Sequence, residues 1–402
     1  MISHWQKKKL HEICILKNGN GFTPREWDTH GLPIIRIQNL NGSKVFNYYS
    51  KTPDANWIII PGDILFAWAG TKGVSFGPCI WNGTKGVLNQ HIYKVIPSKN
   101  VDKNWLYRIL ILATENIEKR AHGFKKTLVH VKKKDIDEQT ILVPPLSEQQ
   151  KIAHILSTWD DSIHCTQNFL DNSKKQKKAL MQHLLTGRQR SPGFSNPWSA
   201  APLNTLFREI KRPVIWDDNK EYKLLSVKRR AGGVFFRENI FGKEIKTKKL
   251  NSVCSDELLI SKMQVVHGAI GIVPKDFDGC FVSDSYIILA PKNKNKLLMK
   301  FIGYYFQQPH IWHLAYLNSY GVHIEKMTFN FDSFLKETIE IPSDIAEQKA
   351  IADVLTAADA VIQQYEAKLA NLQAQKKALM QQLLTGKIRV RTDTDAAQHQ
   401  PA

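Results

Sequence analysis

At 402 residues, with 43% hydrophobic and 23% charged side chains, the chain has a globular composition that excludes global disorder and predicts two or three folding units. Its 56 Lys and Arg against 37 Asp and Glu leave a formal charge of +19, which points to a polyanionic partner, because each cation that meets a phosphate also releases a counterion. The five cysteines (Cys14, Cys79, Cys165, Cys254 and Cys280) are scattered and never in Cys-x-x-Cys spacing, which fits reduced thiols and argues against a disulfide framework or zinc site. No apolar run reaches the ~18 residues of a membrane span, and the N-terminus carries Lys7, Lys8 and Lys9 in place of an apolar signal core. The chain therefore reads as a soluble cytoplasmic protein without a membrane partner.

In chain order, residues 1–146 form a first mixed domain with short β-like runs such as Leu32 to Ile37, Trp57 to Ile60 and Ile64 to Trp68, separated by Gly, Asn and Pro turns. Pro144 and Pro145 stop it, and a long helix follows over 147–187, with Ser147 and Gln150 at capping-box spacing and Gly187 as its stop. A linker, 188–202, carries Ser191-Pro-Gly and Asn196-Pro-Trp. A second mixed domain, 203–345, includes the runs Ile270 to Val273 and Tyr286 to Leu289. A second long helix spans 346–387, and a polar tail, 388–402, is expected to be disordered.

Residues 148–187 match 347–386 without a gap at a constant offset of 199, and both copies end Leu-Leu-Thr-Gly. Each copy carries apolar residues in alternating steps of four and three, the mark of a coiled-coil seam. The first seam holds Ile152, Leu156, Trp159, Ile163, Leu170, Leu180 and Leu184, with Thr166, Ser173 and Lys177 weakening its middle. The second holds Ile351, Leu355, Ile362, Tyr365, Leu369, Leu372, Leu379 and Leu383, interrupted by Lys376. About 38 residues at 1.5 Å each make a rod of roughly 57 Å. If the seams pair, connectivity makes the helices antiparallel with a pseudo-twofold between the halves. The fold class is α+β: two globular mixed α/β domains separated by a long antiparallel two-helix coiled coil, with an internal repeat. Weak echoes link the domains: 62–66 resembles 256–260, and 90–93 resembles 284–287.

The run Pro-Leu-Ser-Glu-Gln-Gln-Lys-Ile-Ala (145–153), the helix end at 177–187, and their second copies at 345–352 and 376–386 resemble the specificity subunit of type I restriction–modification enzymes, over essentially the whole chain. Ser343-Asp344 depart from the Pro-Leu step of the first copy. The resemblance implies a non-catalytic recognition subunit. Its two target-recognition domains would each read half of a bipartite, asymmetric site on double-stranded DNA, with the helices as spacer. It also implies two copies of a methylation subunit as partners and, in some complexes, two restriction subunits. S-adenosylmethionine, ATP and Mg²⁺ would sit on those partners and none on this chain.

Base readout needs Arg, Lys, Asn, Gln or His on loops. In the first domain the candidates are Arg36, Gln38 and Asn39, then Lys72, then Lys125 and Lys126. In the second they are Lys228, Arg229 and Arg230, then Lys262, then His323. Gly123 and Gly321 hold similar places in their loops. Competing readings are a stand-alone nuclease or methyltransferase and a coiled-coil adaptor with incidental charge. Against the first, Asn196-Pro-Trp198 lacks the second proline of an adenine-methyltransferase motif, Glu244-Ile-Lys246 lacks an acidic partner, no phosphate loop occurs, and His and Cys do not cluster at metal spacing.

Overall fold

The computed structural model describes residues 5–120, 128–246 and 248–391. The chain divides into two compact units: residues 1–167 with 367–402, and residues 168–366. Each long helix, Leu146–Leu184 and Ile345–Leu384, is continuous and contributes half its length to each unit. The first begins one residue before Ser147, which leaves that residue inside the first turn. Gly187 and Gly386 follow the helix ends at φ of 69° and 71°, a left-handed conformation that suits glycine and stops each helix where the sequence placed the stop.

In the first unit, strand Gln6–Lys9 pairs antiparallel with Thr140–Val143. A four-stranded antiparallel sheet runs in the order Cys14–Asn18, Ile92–Pro97, Ile64–Ala67, Gly77–Ile80. Helix Lys103–Arg120 buries Trp105, Leu106, Ile109, Leu110 and Ile117, a helical-period stripe, in the same core as Phe66, Phe76 and Val95. Gly77, at φ 110°, makes the helix's close approach possible, since a Cβ there would lie 2.9 Å from Thr114. A second sheet, ordered Asn47–Tyr49, Leu32–Ile35, Gly86–Leu88, Ile58–Ile59, has a parallel central pair.

The second unit repeats this plan. Strand Ser199–Pro202 pairs with Thr338–Ile341. One sheet runs Phe207–Glu209, Tyr286–Pro291, Leu258–Ser261, Ile270–Ile272, and another runs Val234–Phe241, Glu221–Val227, Phe281–Ser283, Leu250–Ser252, again with a parallel central pair. The sequence echoes fall on equivalent strands: Ile64–Ala67 and Leu258–Ser261 are each third in their sheets. Two expectations are corrected. The linker ends in a strand, because pairing with Thr338–Ile341 recruits residues of weak intrinsic β signal. The tail is ordered through Arg391: Ile388 N–H donates to Gln382 O (3.3 Å), and Val390 packs on the first unit's core.

Within each unit the two long helices run antiparallel. In the first, Asp160 meets Lys376 and Glu148 meets Arg389; in the second, Lys177 meets Asp359 and Arg190 meets Glu347. The heptad positions are inward on both helices. Ile152, Leu156, Leu170 and Leu184 are buried on the first helix, as are Ile351, Leu355 and Leu383 on the second. Trp159, Ile163, Leu180, Ile362, Tyr365, Leu369, Leu372 and Leu379 are half-buried, with Tyr365 stacked on Phe169 at 5.7 Å. Each fully buried Leu or Ile contributes about 1.5–3 kcal/mol.

The two lysines that interrupt the seam are used the same way in each unit. Lys376, 19% exposed, pairs with Asp160, which also accepts from Arg108 on the packed helix. Lys177, 18% exposed, pairs with Asp359 at 2.6 Å, and Asp359 also accepts from Tyr304 Oη at 2.8 Å. The Glu-Gln dipeptides repeat as well. Gln149 Nε2 donates to Pro144 O (2.9 Å), and Gln149 Oε1 accepts from Asp102 N–H (2.8 Å). Gln348 Nε2 donates to Pro342 O (2.9 Å) and Lys296 O (3.0 Å), and its Oε1 accepts from Leu298 N–H (2.9 Å). Glu148 accepts from Arg389 Nε (2.8 Å) and Trp5 Nε1 (3.1 Å), and Glu347 holds Arg190 at 2.7 Å and 2.8 Å. The signature is thus an internal clamp that ties each helix start to its own domain and to the end of the other helix.

Candidate nucleic-acid interface

The sequence nominated three loops in the second unit, and the fold brings them together. The turn after strand Glu221–Val227 puts Arg230 and Ala231 in left-handed conformations, φ 56° and 54°, that cost roughly 1–2 kcal/mol each in a non-glycine residue. Two hydrogen bonds from this turn reach the second loop: Arg230 N–H to His267 O (2.7 Å) and Ala231 N–H to Gly268 O (2.9 Å). The third loop leaves the hairpin of Ser319–Tyr320 and Thr328–Phe329 and supplies Glu325. Glu325 accepts from Arg229 Nη2 (2.5 Å) and Nη1 (3.2 Å) and lies 3.2 Å from His267 Nε2. Arg229 beside it holds the Glu325 carboxyl below the usual carboxylate range.

Lys228, Arg229, Arg230, Lys262 and His323 are all exposed on these loops. Lys228 Nζ sits 5.2 Å from the Phe235 ring centroid, and Lys262 Nζ donates to Asp284 O (2.8 Å). The hairpin loop also exposes Tyr320 (65%) and Val322 (96%). Glu325 was not foreseen from sequence. An acidic residue in a cationic loop carries no signal until its arginine, 96 positions away, is seen beside it.

In the first unit two nominated loops flank the segment 89–91: Asn89 N–H donates to Ile35 O (3.0 Å), and Trp68 Nε1 donates to Gln90 O (3.1 Å). Gln38 and Lys72 are exposed. Arg36 is half-buried, with its guanidinium 4.3 Å from the Trp27 ring centroid. Asn39 is a correction. It is 6% exposed and its amide is fully engaged within its own loop: Oδ1 accepts from Arg36 N–H (3.0 Å), and Nδ2 donates to Ser43 O (3.1 Å) and Val45 O (2.9 Å). It shapes the loop and presents no edge to a ligand. Lys125 and Lys126, with Gly123, lie outside the described residues. The rings of His91 and His130 lie 5.1 Å and 4.7 Å from that of Trp68, a cluster that sequence reading passed over because it joins three separate segments.

Among the described residues no group of three or more His, Cys, Asp or Glu is placed to hold a metal ion, and no helix is long and apolar enough to cross a membrane. Asn196-Pro-Trp198 is structural: Asn196 O accepts from Arg190, and Trp198 packs against Gly187.

The family model for the type I restriction modification DNA specificity domain matches twice, over residues 2–171 and 215–374. The chain belongs to the type I restriction–modification specificity family. A Methanocaldococcus jannaschii protein named as the MjaX specificity subunit of a type I restriction enzyme is 28% identical, covering 96% of this chain and 94% of that one. The EcoBI specificity subunit of Escherichia coli is 22% identical, covering 96% and 86%. The crystal structure of the S subunit from M. genitalium aligns at a TM-score of 0.56 with 14% identity, covering 95% of this chain and 96% of that one, and so shares the fold. The two matches in this family member start in its successive sheet-bearing segments and end at residues 171 and 374, inside the long helices Leu146–Leu184 and Ile345–Leu384.

Proposed function

We propose that this chain is the DNA-reading specificity subunit of a type I restriction–modification complex. The convergence of the Lys228–Arg230 turn, the His267–Gly268 segment and Glu325, which anchors Arg229, carries this reading, because polar side chains on loops tied to one another are what readout of a duplex requires. The first unit offers Arg36 and Gln38 on one loop and Lys72 on another, a different set of side chains from the second unit's, so the two half-sites differ and the whole site is bipartite and asymmetric. The chain supplies recognition, not catalysis. Methylation subunits, two per complex, bind S-adenosylmethionine and modify adenine, and restriction subunits, where present, use ATP and Mg²⁺. Support comes from the specificity-subunit names of the relatives and from the +19 charge.

The test is modified-adenine sequencing of genomic DNA with and without this gene. A bipartite motif that disappears on deletion is the expected result. Modification or cleavage of DNA by the purified chain alone would instead establish an enzyme.

A further inference from the structure

The three-loop cluster separates two kinds of DNA contact. A phosphate clamp works through net charge, and Arg229 has little to offer: the Glu325 carboxylate, paired through both Nη1 and Nη2, cancels most of its field. A base edge is neutral and rewards direction. The pairing leaves Nε–H and the outer hydrogens of both terminal nitrogens of Arg229 without a partner among the described residues; of these, Nε–H and the outer N–H on the same edge lie parallel, a two-donor fork on a side chain that remains 48% exposed. The base edge that such a fork matches is guanine, through O6 and N7 in the major groove. Everything behind the fork is braced. Glu325 fixes the plane of the guanidinium, His267 Nε2 stands 3.2 Å behind Glu325, and the strained turn at Arg230 and Ala231 is hydrogen-bonded to the His267 loop. Strain and bracing of this order are unnecessary for a solvated surface charge.

We infer that Arg229 reads a guanine in the half-site bound by the second unit, with Glu325 as its positioning residue. This rests on the DNA-reading function proposed above.

The test uses the complex with its methylation subunit and a panel of labelled duplexes, each changing one base pair of the motif found by genomic sequencing. Affinity is read by fluorescence anisotropy at several salt concentrations. The wild-type complex should disfavour loss of one G·C pair in one half-site by about tenfold, the discrimination of a bidentate contact. Arg229→Ala should abolish that preference and leave the other positions, the other half-site and the salt slope unchanged. Arg229→Lys, which keeps the charge and loses the fork, should not restore it. Glu325→Gln should weaken the preference without removing binding. Three results overturn the inference: a half-site without a G·C pair, an Arg229→Ala complex that keeps every preference, or uniform weakening on all duplexes with a salt slope lower by about one, which marks a phosphate contact. Unchanged preference at the other half-site shows that a variant complex is folded. A wild-type complex with no bipartite motif would refute the underlying function, and would do so before any variant is made.

Discussion

Gln348→Ala removes one side-chain amide and strands three main-chain groups. The residue is 0% exposed, and its amide serves Pro342 O, Lys296 O and Leu298 N–H at 2.9, 3.0 and 2.9 Å. A water in the space left by the lost amide would meet only part of its three hydrogen bonds, so each group keeps part of its desolvation cost. At about 1 kcal/mol for each of the three groups, one buried and two part-buried, the second unit loses about 3 kcal/mol. With a urea dependence near 2 kcal/mol per molar for a unit of this size, its unfolding midpoint should fall by about 1.5 M, read by tryptophan fluorescence. Gln348→Glu should be worse still at neutral pH, since an ionised carboxylate keeps the Leu298 bond and turns an oxygen toward two carbonyls. A midpoint shift under about 0.5 M for the alanine variant would refute the view that this glutamine staples the helix start to its domain.

Three further outcomes follow from the same geometry. Asp359→Ala, which strands a half-buried lysine, should destabilise the second unit by about 2 kcal/mol, and the double variant Lys177→Met with Asp359→Leu should recover most of it, in a chemical-denaturation comparison. Arg389→Ala leaves the 4% exposed Glu148 carboxylate with Trp5 Nε1 and should lower the first unit's stability by about 3 kcal/mol, measured by thermal shift. His310, whose ring packs edge-on against Tyr305, is held below its ordinary range by burial. The unfolded chain therefore binds this proton more readily than the folded chain does. Stability is full above about pH 6.5 and falls as pH drops toward the folded value, and His310→Gln should flatten that slope in thermal midpoints compared between pH 7.5 and 5.5.

The helices and their pairing were legible because a seam of alternating fours and threes, repeated at a fixed offset, has one simple solution. The breaks in that seam were not. Lys177 and Lys376 read as weak points until the folded chain sets Asp359 and Asp160 beside them, and no local pattern announces a partner about two hundred positions away. The Glu-Gln signature identified the family without disclosing what it does, since the carbonyls Gln149 and Gln348 accommodate carry no sequence signal. The loops carrying candidate contacts were found by residue type, and residue type misled at Asn39: an asparagine can serve a ligand or its own turn, and burial alone distinguishes them. The order at Ile388–Arg391 was hidden in a polar-looking tail because its anchor, Glu148, lies 241 positions before Arg389.

The division of the chain has a consequence for its synthesis. Residues 168–366 are contiguous, so the second unit holds all of its own core as soon as they leave the ribosome. The first unit does not, because Met380, Leu383 and Leu384 are buried among its hydrophobic residues. At roughly 5–20 residues per second, residues 1–167 wait on the order of 10–40 s for the segment that completes them. Over that interval Ile152 and Leu156 present bare apolar surface, and the domain that emerges first is finished last.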